Sequence, residues 1–290
     1  MTRHIPLCTI CLVVACWGSL ALSTAPAADA ITLRFQPTAE TVTLQELLAK
    51  VDSVSLEGNP LGIDGTITAK VKHTTKPVDP EKQTLPVALD LTEISQLFQG
   101  QEVAGSSQAR VAVDISPTGL INAEQYANQK LFTTAGIPVE LLALLCHTVR
   151  FPDEPVTVGQ EWEITDDVRL AEDDQPIPIT ATTKLFKIDE EGNAWLLSQV
   201  WAQMPDFSAP NPMGYGPPVK VTNGSLKITD LWRVFSIASS VVTKAQGKTK
   251  FSGQVDMQGY PLKGEMTAGF ELKPAPVKQA DATATPAANQ

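Results

Sequence analysis

Cysteine is scarce in this chain, and its distribution excludes disulfide chemistry. The 290 residues include four cysteines. Three of them (Cys8, Cys11 and Cys16) lie within the apolar first thirty residues, so the Cys-x-x-Cys spacing of the first two predicts no zinc or redox site. Only Cys146 remains downstream, and no intramolecular disulfide is then available. The remaining chain must be stabilised by a hydrophobic core.

Catalytic motifs are also missing. The sequence contains no Gly-x-Ser-x-Gly, no His-Glu-x-x-His and no phosphate-binding loop pattern. Cys146 and His147 are adjacent, but neighbouring helical residues point about 100° apart and do not share a site. The second downstream histidine, His73, lies far away and forms no metal-ligand spacing. We therefore predict that the protein is not an enzyme, and that it holds no metal and no cofactor.

Positive charge is in short supply. The chain has 22 lysines and arginines against 32 acidic residues, a formal net charge of −10. An excess of negative charge disfavours binding to nucleic acid and to anionic lipid surfaces. We predict no nucleic-acid partner.

The first thirty residues have the pattern of an export signal. A charged start is followed by an uncharged stretch over residues 5–22 and by Ala-x-Ala cleavage sites after Ala27 and Ala30. We expect a periplasmic or extracellular protein. Two alternatives remain: lipid attachment at Cys16, and an uncleaved anchor, since about twenty apolar residues span a bilayer. We expect contact with the membrane only through the leader or a lipidated Cys16.

The rest of the chain reads mostly as β-strands. Alternation of apolar and polar residues predicts one dry and one wet face for each strand. The clearest hairpin joins residues 182–188 to 194–203 through an acidic turn at 189–193. The other predicted strands cover residues 66–71, 85–91, 109–115, 179–188, 225–231, 234–244, 247–257 and 262–272. We predict a mainly β fold (β-rich α+β), with two curved antiparallel sheets or lobes and short covering helices.

Two short helices are predicted. Thr43 and Glu46 form a capping box that would open a helix over residues 44–51. Pro138 suits the first position of a helix over residues 138–148, whose side chains are apolar nearly all round. Such a helix is either buried in a core or lines an apolar cavity.

Composition divides the chain into four parts. We predict a signal peptide at 1–30, an N-terminal β lobe with helices at 31–150, a C-terminal β-meander lobe at 151–273 and a disordered tail at 274–290.

Residues 105–115 resemble residues 247–257, which is the pattern of a duplicated lobe or of two unrelated glycine-started hairpins. A proline- and glycine-rich loop is predicted over residues 205–218.

One segment carries a resemblance to known proteins. Residues 150–162 contain Pro-x-x-Pro-Val-x-Val-Gly-x-x-Trp, from Pro152 to Trp162, after a leucine-rich helix. This phrase resembles one found in uncharacterised exported bacterial β proteins. It implies that the prolines end the helix, Val156 begins a strand, Gly159 turns and Trp162 anchors the next strand in the core. More loosely, the architecture is similar to periplasmic lipoprotein carriers of the Lol type and to mycobacterial lipid-binding lipoproteins.

These observations favour a non-catalytic envelope protein that binds an apolar ligand or lipid between a curved sheet and helices. The first alternative is an envelope structural or protein-interaction module with an envelope protein partner. The second is a hydrolase with a carboxylate pair, which has no local sequence signature. The candidate ligand contacts, chosen for apolarity and placement, are Leu141, Leu145, Trp195, Trp201, Phe207 and Tyr215.

Overall fold

The computed structural model describes residues 30–102, 107–121, 139–168, 177–204, 206–209, 219–257 and 259–276. The predicted signal peptide up to residue 29, with Cys16, lies outside the described residues. So do Tyr215 and residues 277–290 of the predicted tail.

Strands dominate the described residues, which confirms the mainly β fold class. They contain one α-helix, α1 (Val139–His147). The strands are β1 (Thr41–Leu56), β2 (Asn59–Pro60), β3 (Gly65–Thr75), β4 (Leu85–Phe98), β5 (Gln101–Glu102), β6 (Gln108–Ile115), β7 (Glu161–Val168), β8 (Ile177–Ile188), β9 (Asn193–Gln203), β10 (Phe207–Ala209), β11 (Val219–Ser236), β12 (Val241–Met257) and β13 (Tyr260–Pro274).

The strands form one continuous antiparallel sheet. Its main path runs β5-β4-β3-β1-β13-β12-β11-β9-β8-β7, while β6 pairs with β4, β2 with β1 and β10 with β11. The first strand pairs with the last, because β1 lies between β3 and β13. The expected two sheets or lobes therefore join in a single sheet through the β1–β13 ladder.

The sheet curves around α1. This helix contacts β12 on one side and both β4 and β6 on the other. In the sheet, β6 and β12 are separated by five strand spacings, about 24 Å if the sheet were flat at about 4.8 Å per strand. A helix only about 10 Å across touches both strands because the sheet wraps round it.

The predicted helix over residues 44–51 is wrong, since this segment lies inside β1. Its buried residues recur at every second position, at Gln45, Leu47, Ala49 and Val51. The leucine at position 44 points to the opposite face and is 62% exposed. Ladders on both sides, with β3 and β13, supply long-range pairing that outweighs the local capping preference.

The helix expected over residues 138–148 is confirmed as α1. Leu142, Ala143, Leu144 and Cys146 are all at most 4% exposed, so the helix is enclosed on several sides. The predicted first residue, Pro138, lies outside the described part of the chain.

Three boundaries differ from the predictions. Residues 234–244 are not one strand, because the chain turns at 237–240 between β11 and β12, with Ser240 at φ 55°. The proline-rich loop contains β10, which pairs with Val219–Val221 of β11. The last strand continues to Pro274, and the backbone N–H of Ala275 donates to the Leu44 carbonyl at 2.9 Å.

At one end of the core, two aromatic rings from segments outside the strands pack against a ring of β11. The rings of Phe35, Phe151 and Phe235 lie 5.0 to 5.3 Å apart, centroid to centroid. In the Pro-Val-Gly-Trp segment Gly159 turns at φ 90°, and Trp162 is 9% exposed and donates to the Arg150 carbonyl at 2.8 Å, as expected. The other two expectations are wrong, because α1 already ends at His147 and Val156 forms only an isolated bridge with Ile31. Among the described residues, no helix has the length and apolarity needed to cross a bilayer.

Candidate functional site

The concave face of the sheet is apolar, with a few buried polar side chains. Gln45, His73 and Thr75 come from β1 and β3, His147 comes from α1, and Arg233 comes from β11; none is more than 4% exposed. Alternation along each strand places these residues on the same face as the surrounding aliphatic core. Buried polar groups in such a setting require hydrogen-bond partners, so the partners define the chemistry of the face.

His73 and His147 meet in this face although they are 74 positions apart in sequence. Their ring centroids lie 4.5 Å apart with the planes at 60°. The His73 ring nitrogen Nε2 lies 2.8 Å from the Thr75 hydroxyl oxygen, whereas Nδ1 has no hydrogen-bond partner. The histidine pair therefore joins the sheet to the helix.

Gln45 holds the helix histidine in place. Its amide nitrogen donates to the carbonyls of Val242 and Thr243, each at 3.1 Å. This orientation turns the amide oxygen toward Nε2 of His147, 2.8 Å away. The other ring nitrogen, Nδ1, lies 2.6 Å from the Ala143 carbonyl. Gln45 thus links β1, β12 and α1.

Both histidines are neutral near pH 7 because burial disfavours the charged ring. Burial lowers the pKa of His147 to about 4, although the Ala143 carbonyl acts in the opposite direction. Burial also lowers the pKa of His73 well below its ordinary value, and the charge on a protonated His147 lowers it further. A neutral ring carries one N–H, so His147 donates to only one of its two acceptors at a time.

Arg233 is the one buried cationic side chain among the described residues. It is 4% exposed, and its Nε atom has no hydrogen-bond partner. Burial lowers its pKa to about 10, and the nearby Cys146 opposes that shift. The Cys146 thiol is itself fully buried, which raises its pKa to about 12. At neutral pH the thiol is uncharged and the guanidinium is charged.

Glu140 is the buried carboxyl group of the described part. It is 7% exposed, and Oε2 has no hydrogen-bond partner. Burial raises its pKa, while a hydrogen bond from its own backbone acts against that shift. A second buried carboxyl is not brought beside it by any described segment, so the carboxylate pair of the hydrolase alternative is not assembled there.

Of the two candidate contacts on the helix, the structure places Leu145 against the core. Leu141 is within α1, although its side chain lies outside the described residues. Leu145 is half-buried and packs against the core. The structure thus places this part of the predicted set against the curved sheet.

The candidate tryptophans lie on the opposite face. Along β9 the buried residues are Ala194, Leu196 and Val200, whereas Trp195 and Trp201 alternate with them. The indole N–H of Trp195 donates to Asp189 at 2.9 Å, and Trp201 is 45% exposed. The structure therefore does not bring these rings together with Leu145.

The last two candidates fall in the proline-rich region. Phe207 begins β10, but its side chain lies outside the described residues, as does Tyr215 altogether.

Sequence reasoning missed Gln45, Arg233 and the meeting of the histidines. The signal was present in the alternation: Arg233 is in phase with Leu231 and Phe235, both 0% exposed. A polar residue in phase with a buried apolar series marks a buried polar position. His73 continues the alternation of β3 in the same way.

The described residues do not form a metal-binding cluster. Among the described residues, no group of three or more histidine, cysteine, aspartate or glutamate side chains could hold a metal ion. The concave face instead offers aliphatic surface, one buried cation and neutral hydrogen-bonding groups.

Comparison with known proteins gives no family. No protein-family model and no curated protein matches the chain. Among solved structures, DynF from the dynemicin biosynthesis pathway of Micromonospora chersina is similar over 87% of this chain and 86% of its own, at 10% identity and a TM-score of 0.27. A similarity of this extent carries no argument about function.

Proposed function

We propose that this is an exported envelope protein that binds an apolar ligand or lipid, without catalysis, between its curved sheet and α1. The observation that supports the proposal is the chemistry of the concave face. Aliphatic residues from most of the strands line it, and a small set of polar side chains converges on it. Ligand sites for small apolar molecules have this composition.

The enclosure of α1 supports the same function. The helix contacts β12 as well as β4 and β6, strands that lie far apart in the sheet, so it packs against the concave face. Leu145 is half-buried at this contact rather than fully enclosed. A short helix held mainly by side-chain packing can shift to admit a ligand with little loss of backbone hydrogen bonding.

The experiment is native mass spectrometry of the protein purified from envelope extracts, with lipid extraction of the same sample. We expect a stoichiometric apolar molecule, and an intact mass that shows cleavage after Ala27 or Ala30. An acylated Cys16 would make the protein a membrane-tethered lipoprotein with the same binding function. A protein free of any bound molecule, which also takes up none from added lipid, would contradict the proposal.

Substitutions locate the binding face. Leu145→Gln should reduce uptake at least tenfold, because it places a polar amide against the apolar ligand. The matched control is Leu48→Gln on the convex face of β1, where the side chain is 38% exposed. Equal uptake by both variants would contradict a site beside α1.

A second function is favoured by the convex face. There Phe186 is 51% exposed and its ring lies 5.1 Å from that of Trp232. Exposed aromatic rings are frequent in protein interfaces. The alternative is therefore a protein-interaction module, with an envelope protein as partner. Crosslinking in envelope extracts tests it: Phe186→Ser should abolish a crosslinked complex that Leu145→Gln leaves intact.

A further inference from the structure

The buried Arg233 identifies the chemical class of the ligand. Its side chain lies in the concave face between Leu231 and Phe235 along β11. Its cross-strand neighbours are Leu196 on β9 and Ala245 on β12, and both are buried. A guanidinium with five N–H donors is thus surrounded by aliphatic and aromatic groups.

No described group neutralises this charge. Arg233 takes part in none of the ion pairs of the described residues, and Nε has no acceptor. The group that acts on it electrostatically is the Cys146 thiol, which is uncharged at neutral pH. Glu140 forms no ion pair with Arg233, and its Oε2 atom has no hydrogen-bond partner.

A buried cation without a counterion is strongly unfavourable. The loss of a partner from a buried charge pair is among the most destabilising changes a protein can undergo. Within the described part of the chain Arg233 lacks that partner, and its Nε atom is free to donate to an anion on the concave face. Since the neighbouring groups are apolar, the remainder of that anion is apolar.

We propose that the ligand is a long-chain carboxylic acid whose carboxylate pairs with Arg233 while its chain lies against the concave face. This inference rests on the proposed function, because it names the class of the apolar ligand. One positive charge matches one negative charge, and the planar guanidinium fork matches the two oxygens of a carboxylate. The apolar neighbours Leu231, Phe235 and Leu196 match the hydrocarbon chain.

The test compares oleate with oleyl alcohol, which has the same chain and no charge. The protein is purified from cells in its naturally processed form. Bound lipid is then removed on a hydrophobic resin. Each ligand then displaces Nile red, an uncharged fluorescent probe, and yields a dissociation constant. We expect oleate to bind about tenfold to hundredfold more tightly than the alcohol, the range expected for a charge-assisted hydrogen-bonded pair in a buried site.

The variant Arg233→Met removes the charge and keeps an unbranched apolar side chain in place of the arginine stem. We expect it to lose the preference for oleate, with the affinity for oleyl alcohol changed by less than about threefold. The matched control is Arg110→Met, which removes an exposed positive charge paired with Asp90 on the sheet surface. If Arg233→Met does not fold, Arg233→Lys keeps the charge without the planar fork and should lose part of the preference.

The outcomes separate the two proposals. If neither oleate nor oleyl alcohol displaces Nile red, the proposed function fails and the inference fails with it. If both bind equally, or if Arg233→Met keeps the preference for oleate, the inference is overturned while apolar-ligand binding stands. Tighter binding of oleyl phosphate than of oleate would overturn the assignment of a carboxylate.

Discussion

The buried histidine pair predicts how stability depends on pH. In the unfolded chain a histidine has an ordinary pKa of 6.5, and in the native protein burial lowers the pKa of His147 to about 4. Between these values the unfolded chain binds a proton that the native protein does not. Stability therefore rises with pH through this window and is fully present above pH 6.5. The difference corresponds to about 3 kcal/mol, at about 1.4 kcal/mol per pH unit.

His73 adds to this dependence in the same direction, since its pKa is also lowered by burial. Glu140 acts in the opposite direction. Burial raises the pKa of that carboxyl above 4.5, so its contribution to stability is present below this value and is lost as pH rises through the native pKa. The measurement is therefore made in a Glu140→Gln background, which removes the opposing contribution.

The assay is urea unfolding at pH 4.5, 5.5, 6.5 and 7.5, followed by tryptophan fluorescence. We expect His147→Gln to reduce the rise in unfolding free energy between pH 4.5 and 6.5 by about 2 to 3 kcal/mol. Glutamine keeps an amide donor for Gln45 and does not titrate in this range. The other two histidines, His4 and His73, are common to the two proteins, so the difference between them reports His147. An unchanged slope in the variant would refute the reasoning.

Three further predictions concern the core. Cys146 should react with a disulfide reagent such as DTNB at least a hundredfold more slowly in the native protein than in urea, because the thiol is 0% exposed and its pKa is raised to about 12; fast native reaction would contradict this burial. Gly119→Ala should destabilise the protein by more than about 2 kcal/mol in urea unfolding, since its Cβ would lie 2.0 Å from the Val149 carbonyl oxygen at φ 83°. Gly159→Ala is the control, because this glycine has φ 90° and nothing lies within 4 Å of the added Cβ. Equal losses of unfolding free energy in the two variants would show that the positive φ, and not the clash with Val149, causes the destabilisation. Gln45→Ala should cost about 2 to 4 kcal/mol, because it leaves the partners of its amide unsatisfied in the core, whereas the exposed Gln101→Ala should change stability by less than about 0.5 kcal/mol.

The local pattern of apolar and polar residues was sufficient to predict the mainly β class and most strand positions. Alternation of the two residue types shows which face of a strand is buried. The local pattern also predicted α1, where a nearly continuous apolar stretch after Pro138 fits a short enclosed helix. The hairpin between β8 and β9 was predictable as well, since its acidic turn with Gly192 is encoded within a few residues.

Long-range pairing decided what local pattern could not. Residues 44–51 carry both a helix-capping signal and an alternating series, and only the ladders of β1 with β3 and β13 select the strand. The same ladders join the two halves of the chain into one sheet. Similarly, period-two alternation places Trp195 and Trp201 together on one face, but the sequence does not show which face meets the helix.

The candidate site belongs to the tertiary structure for the same reason. The sequence determines that His73 and Arg233 are in phase with buried neighbours, but it does not show what surrounds them. Only the curvature of the sheet brings His73 of β3 to His147 of α1, and only the burial of β11 separates Arg233 from every acidic side chain that the structure describes in an ion pair. The burial of a side chain and its hydrogen-bond partners depend on contacts between segments that are distant in sequence. Strand periodicity, in contrast, depends only on neighbouring residues.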